Sequence, residues 1–572
     1  MTTRFAFAAG AIVVLAASVI LRTAWLSADP PAHPSIGIVW HDEGAWVHNA
    51  RNRALWGSWR TDAWNPVFVT PVFTALEYAA FRSAGVGTWQ ARLVPVVSGV
   101  LSVAFLMVGL RALAGPRAAL AGGALVAGNY VFVMWNRAAL IESTMILFIV
   151  MSWALYALAD RRPAWALLAG AAASLAWFAK AAAAFFVAAL VIDALYGLVR
   201  RPMAAASDER AAARYALGGL AIVTVGIIAA FVLPHWEEYA FYNWQMSVTR
   251  KPDYSLGAIV DRLTWLPLVH GTFARSWPVL VVGALGLVWT VRAWPEARPA
   301  DRLLVLWIVV GLAELVVHDA GNERRYVMFI PAIVALAVRW AAPLNVREAP
   351  PGPHGIVQAA AFGLVGVSAY LVAGSALRIL LEADVTAGRL STAVRLAAAA
   401  AAAVLLIVVL RRQQVGQALV RLRTMPGLLP LVVIAGLAWN AGDYAAWLRH
   451  RSSVNLEASE AVGRILAPGT LVQGKLAAGL ALENRIRPLF IGNGFGNYAD
   501  RFTRDDVRYI LTYDLPRLGY ESSDGSNLIK DLVDRYPNHR VVAAFPVDEG
   551  PLEDRAILID KHPPAPETDA RD

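Results

Sequence analysis

No cysteine occurs among the 572 residues, which excludes disulfides, thiolate metal sites and cysteine nucleophiles. Charge is also scarce: Asp, Glu, Lys and Arg make up 16% of the chain, against roughly a quarter in soluble domains. No G-x-G-x-x-G occurs. The nearest stretch, "GNGFGN" at 492–497, spaces its glycines differently and reads as a turn rather than a dinucleotide loop. No basic run is interleaved with aromatics, so the net charge of +9 does not point to nucleic acid. It is the balance expected of a membrane protein with basic cytoplasmic loops. No internal repeat stands out.

Apolar residues, by contrast, form 58% of the chain and gather in runs long enough to cross a bilayer. About thirteen spans are expected, near 5–26, 93–113, 118–134, 143–159, 164–179, 181–199, 216–233, 277–293, 303–318, 327–341, 356–380, 391–410 and 427–447. The first has only Arg4 before it and runs longer than a signal-peptide core, so it reads as an uncleaved span. With the N-terminus in the cytoplasm, the basic loops "DRRPAW", "VRRPMAAASDERAAAR" and "RRQQVGQALVRLRT" all fall inside. That agreement requires 27–92 to stay outside as one loop, its segment "PVFVTPVFTALEYAAF" lying along the interface. A second outer loop, 234–276, is rich in Trp and Tyr.

After residue 447 the pattern changes. "TLVQGK", "RPLFIGN", "VRYILTYD", "HRVVAAFPV" and "RAILIDK" read as short strands alternating with helical "ASEAVGRILA" and "SNLIKDLVDRY". The expected fold is an α-helical polytopic membrane module over 1–447, a small α/β extracytoplasmic domain over 448–562, and a disordered tail over 563–572.

The chemistry-bearing residues sit at the outer ends of the spans. "WHDEGAW" places Asp42 and Glu43 side by side. Read alone, Asp42 caps an interfacial helix and Glu43 complements its dipole. "WNRAALIESTM" carries Arg137 and Glu142, which either pair across a short turn or belong to a site. Lys180 sits between two spans, where lysine snorkels at little cost. Arg324 and Arg325 in "NERRYVMFIP" run against the positive-inside trend, as does Arg92. So many outward cations near lipid point to an anionic ligand, of which phosphate fits best. For a divalent metal the candidates are Glu142, His235 and His270, without the tight spacing of a ligand motif.

In order along the chain, "HDEGAWVHNARNRALWG", "GVGTWQARLVPVVSGVLSVAFL", "NRAALIESTM", "FAKAAAAFF" and "NERRYVMFIPAIVAL" resemble the GT-C glycosyltransferases. The likeness is greatest to the branch of protein O-mannosyltransferases and lipid A aminoarabinose transferases. It covers residues 1 to about 340. It implies a bacterial inner-membrane enzyme that moves a sugar from a polyprenyl-phosphate donor to an acceptor hydroxyl on a lipid, polysaccharide or protein at the outer face. Asp42 would be the catalytic base. Glu43 and Glu142 would assist, and Arg92, Arg137, Lys180, Arg324 and Arg325 would bind the phosphate. Glu142 stands where the family commonly has Asp, and "NPVFVTP" (65–71) only approximates the family's paired prolines. Two other classes remain: a transporter or flippase of lipid-linked saccharide, which needs ionisable residues near mid-span, and an envelope scaffold acting through its tail.

Overall fold

The computed structural model describes residues 2–30, 40–199, 206–248, 253–259, 275–318, 323–342, 420–492, 495–513, 532–547 and 554–562, with isolated positions between 397 and 417. The span expected at 356–380, all but isolated positions of the span expected at 391–410, and His270 lie outside the described residues.

The membrane module begins with α1 (Thr2–Thr23). Two short helices follow, α2 (Trp40–Trp46) and α3 (His48–Trp56), and then α4 (Pro71–Ala84). α4 packs on α3 and has Pro71 in its first turn, where a missing N–H costs nothing. The spans expected at 93–113 and 118–134 are one long helical stretch, α5 (Leu93–Ala127), broken at Gly115. There φ is 87° and Pro116 follows, a pairing that turns the chain without a loop. The remainder of the second run forms α6 (Tyr130–Trp135), whose start is fixed by Asn129 Oδ1 accepting from Phe132 N at 2.9 Å.

α7 (Ile141–Leu158), α8 (Trp165–Ala179), α9 (Ala184–Val199) and α10 (Ala206–Ile227) come next. α10 passes through a π turn into α11 (Trp236–Val248). Helices α8 and α10 meet backbone to backbone. A Cβ on Gly170 would lie 1.9 Å from the Ala216 carbonyl oxygen, and one on Gly219 1.9 Å from that of Leu167. Small residues permit this approach where lipid supplies no hydrophobic drive. α12 (Trp277–Arg292), α13 (Pro299–His318), α14 (Ile330–Ala341) and α15 (Leu428–Arg449) complete the module. Among the described residues, six helical stretches are long and apolar enough to cross a membrane. The end of the bundle away from α2 is tied by Arg302, which reaches Asp193 at 2.7 Å and Glu209 at 2.5 Å, while Tyr156 donates to Asp193 at 2.9 Å. These links join α7, α9, α10 and α13.

The smaller domain starts at α16 (Val454–Ile465). Its sheet has β1 (Leu471–Gln473), β2 (Arg487–Leu489), β5 (Tyr509–Tyr513), β6 (Arg540–Val547) and β7 (Asp554–Asp560) in the order β2-β1-β5-β7-β6. The first three run parallel, and β7 is antiparallel to both its neighbours. A separate two-residue antiparallel pair joins β3 (Ile491–Gly492) to β4 (Phe495–Gly496). α17 (Lys475–Gly479) follows β1. Val462, Leu476, Leu480, Val472, Ile510 and Leu558 form the core of this domain, each buried.

Candidate active site

α2 carries both acids in its first turn, and they face different partners. Glu43 is 2% exposed. Its two oxygens take Arg92 Nε and Nη2 at 2.8 Å each, and Oε1 also accepts Ala139 N at 2.7 Å. Arg92 spends its remaining nitrogen on the Leu26 and Ala28 carbonyls, at 2.7 Å each. This bidentate fork is the strong form of a carboxylate–guanidinium pair. It ties α2 to the chain leaving α1, to the start of α5 and to the turn before α7.

Asp42 points elsewhere. Its Oδ2 lies 2.8 Å from Arg324 Nη1, and its side chain is 21% exposed. Arg324 Nε is 3.2 Å from Glu142 Oε1, and Lys180 Nζ is 2.5 Å from the same oxygen. Four residues from four separate elements therefore meet: Asp42 from α2, Glu142 from the first turn of α7, Lys180 from the break between α8 and α9, and Arg324 from the single turn Glu323–Tyr326 before α14. Lys180 has extended backbone, φ −160° and ψ 125°, which interrupts the helix and directs the residue into the site. Arg325, half-buried on the same turn as Arg324, adds positive charge near Lys180. Glu142 thus holds two cations in place, and Asp42 is the more open of the two acids.

Arg137 belongs to neither group. The turn pair with Glu142 does not form, because Arg137 donates to the Leu21, Arg22 and Trp25 carbonyls at 3.1, 3.0 and 2.7 Å and lies over the Trp447 ring at 4.8 Å. The open carbonyls at the end of α1 are a nearer acceptor set than the Glu142 carboxylate, which Lys180 and Arg324 occupy. Arg92 is likewise committed to Glu43. His235 lies beside the stacked rings of Phe68 and Phe231, 5.7 and 5.5 Å away. Among the described residues no group of three His, Asp or Glu is arranged to hold a metal ion.

The smaller domain bears directly on the acid-bearing helix. A Cβ added to Gly44 would lie 1.8 Å from the Ala478 carbonyl oxygen on α17, so no other residue fits between the two backbones. Arg51, 1% exposed, donates to the Asn484 and Ile486 carbonyls at 3.1 and 3.0 Å. Burial, and then the charge of Arg485, lower its guanidinium to about 9. Thr88 N donates to Glu483 Oε1 at 2.6 Å, and Ala63 N to Asn497 Oδ1 at 3.1 Å. Trp64 packs against Phe490 at 4.9 Å and donates Nε1 to the Ala45 carbonyl at 2.8 Å. The sequence reading assigns no role to Gly44 or Arg51. A glycine in the middle of a seven-residue helix costs about 1 kcal/mol, and such a cost signals a close approach.

Residues 68–233 match the model of the dolichyl-phosphate-mannose-protein mannosyltransferase family. ArnT from Cupriavidus metallidurans bound to undecaprenyl phosphate is similar at 19% identity and a TM-score of 0.60, covering 98% of each chain. The apo state of the same protein gives 19% and 0.58, again over 98% of each. The Archaeoglobus fulgidus oligosaccharyltransferase in its apo form gives 14% identity and a TM-score of 0.44 over 88% of this chain and 69% of its own. No curated protein matches by sequence. The resemblance to the GT-C glycosyltransferases is borne out, and the chain is a polytopic membrane protein with their helical fold and a small α/β domain after it.

Proposed function

We propose that the protein is an inverting glycosyltransferase that moves a sugar from a polyprenyl-phosphate donor to an acceptor hydroxyl at the membrane face where α2 lies. The observation that carries this reading is the joining of Asp42, Glu142, Lys180 and Arg324 at one membrane end. A carboxylate beside two or three cations is the equipment that such a transfer needs. The acceptor oxygen attacks the anomeric carbon, its proton passes to Asp42, and the bond from that carbon to the phosphate oxygen breaks with its electron pair on the phosphate. The leaving group is stable as an anion, so no general acid is required, and attack from the opposite face inverts the centre.

Electrostatics divides the work. Arg324, Lys180 and Arg325 neutralise the phosphate as its charge develops. In the resting arrangement Arg324 is shared between Asp42 and Glu142. An arriving phosphate competes for that guanidinium, and a carboxylate relieved of its cation is a better proton acceptor. Glu142 remains to hold the cations. Glu43 and Arg92 are then positioning residues, which fix α2 without touching the reactants. The family match and the fold shared with ArnT support a lipid-phosphate donor. The charge of the loops supports an inner-membrane placement with this site and the smaller domain outside. The transporter reading is less favoured, because the paired charges gather at the two ends of the bundle, around Asp42 and around Arg302. Purified protein offered labelled undecaprenyl-phosphate pentoses and hexoses should consume one of them and release undecaprenyl phosphate. Failure to consume any, with retained binding, would favour transport instead.

A further inference from the structure

The end of the bundle opposite Asp42 holds a polar cavity that the transfer reaction does not use. α14 separates the two places: it starts just after Arg324 and ends at Arg339–Trp340–Ala341, about 18 Å further along at 1.5 Å per residue. The cavity has a volume of about 210 Å³ and is lined by Trp289, Arg298, Asp301, Arg339, Trp340 and Arg423 among others. That is several times the roughly 30 Å³ share of one water.

Its charges are unevenly paired. Arg339 is spent on Asp301 through a bidentate pair at 2.9 and 2.7 Å, and Arg298 faces Asp160 at 3.6 Å. Glu296 is exposed on the rim. Arg423 is left over. It is 5% exposed, its guanidinium lies over the Trp289 ring at 4.7 Å, and among the described residues its one hydrogen bond is a long one of 3.5 Å to the Arg339 carbonyl. Its Nε has no hydrogen-bond partner among the described residues. Trp340, 2% exposed, adds in its Nε1 a second buried donor without a partner among the described residues. Burial, and then the charge of Arg339, lower the Arg423 guanidinium to about 10, against a smaller opposing pull from Asp301.

A buried guanidinium and a buried indole, each with an unpartnered N–H and both lining one cavity at a membrane end, call for an anion with several acceptor oxygens. Basic clefts between spans take lipid headgroups in this way. We infer that this cavity is a second lipid site, in which Arg423 and Trp340 hold the phosphate of a membrane lipid headgroup at the membrane end opposite Asp42. The inference does not rest on the transferase reading, since none of its residues belongs to that site. The phosphate has two possible sources, a glycerophospholipid or the polyprenyl carrier itself.

Native mass spectrometry of the full chain in mild detergent tests this. Dioleoyl-phosphatidylglycerol would be titrated into the wild type, Arg423→Gln, Trp340→Phe and Arg421→Gln, the last an exposed neighbour with the same change of charge. Undecaprenyl phosphate would be titrated into the same set in an Arg324→Gln background, so that lipid at the Asp42 end is not counted. For one of the two lipids, the wild type should hold one molecule that Arg423→Gln binds at least tenfold more weakly and Trp340→Phe severalfold more weakly, with Arg421→Gln unchanged. The lipid that shows this pattern names the source. Equal retention of both lipids by wild type, Arg423→Gln and Trp340→Phe would overturn the site. If Arg423→Gln does not fold, Trp340→Phe alone decides.

Discussion

The guanidinium of Arg324 stands 2.8 Å from the carboxylate of Asp42, and the two residues are 282 positions apart in the chain. The same guanidinium reaches Glu142 at 3.2 Å. A planar fork spans two acids; an ammonium on a flexible stem does not. Arg324→Gln should therefore lower transfer by about 10²–10³-fold, the loss typical of one donor at a developing charge. Arg324→Lys should recover only part of it. Initial rates at saturating donor read this directly, and full activity in Arg324→Lys would show that the fork is not used.

Glu43 and Arg92 test the division between the two adjacent acids. Both are buried and each is the other's main partner. Removing one leaves the other's charge uncompensated, which costs about 3–5 kcal/mol in buried pairs. Arg92→Ala should lower the apparent melting temperature in detergent sharply. Asp42→Asn should leave it nearly unchanged, because Asp42 is partly exposed. Equal thermal losses in the two variants would put Asp42 in the same structural role as Glu43.

Gly44→Ala probes the docking of the smaller domain. The added methyl meets the Ala478 carbonyl oxygen at 1.8 Å, closer than any packing allows, so α2 must shift and carry Asp42 with it. A misplacement of about 1 Å costs on the order of 10²-fold in rate. The loss should fall mainly on kcat, with the protein still assembled. Wild-type kcat in Gly44→Ala would mean that α2 and α17 are not held together during turnover.

Glu77 sets a pH dependence of stability. Its side chain is fully buried on α4, and neither oxygen has a hydrogen-bond partner among the described residues. Burial, and then the charge of Glu43, push its carboxyl well above the ordinary 4.5. The folded state thus keeps a proton that the unfolded chain releases. That contribution is fully present below about pH 4.5 and is lost as pH rises toward the folded value, by up to about 1.4 kcal/mol per pH unit. Glu77→Gln does not titrate. Its melting temperature relative to wild type should climb between pH 5.5 and pH 8, and a difference independent of pH would contradict this protonation.

The order of acids and cations along the chain was enough to name Asp42, Glu142, Lys180 and Arg324, but only within a larger outward set that also holds Glu43, Arg92, Arg137 and Arg325. Their pairing was not legible. Arg137 lies five residues from Glu142 and looks like its natural partner, yet the open carbonyls at the end of α1 take it. That competition is tertiary and leaves no local signature. The strands of the smaller domain were readable from alternation, and "TLVQGK", "VRYILTYD" and "HRVVAAFPV" contain β1, β5 and β6. Where that domain lands was not readable, since the contacts of Arg51 with Asn484 and Ile486 join residues more than 400 positions apart. The spans on either side of Gly115 were separable by hydropathy, but a turn without a loop needs the positive φ of that glycine to be seen.

The most direct test of the account is release of undecaprenyl phosphate from a labelled undecaprenyl-phosphate sugar by wild type and by Asp42→Asn, compared at equal thermal stability. Asparagine keeps the size of the side chain and removes its ability to take a proton, so release should fall by about 10²–10⁴-fold while donor binding persists. Wild-type turnover in Asp42→Asn would contradict the assignment of Asp42 as the base.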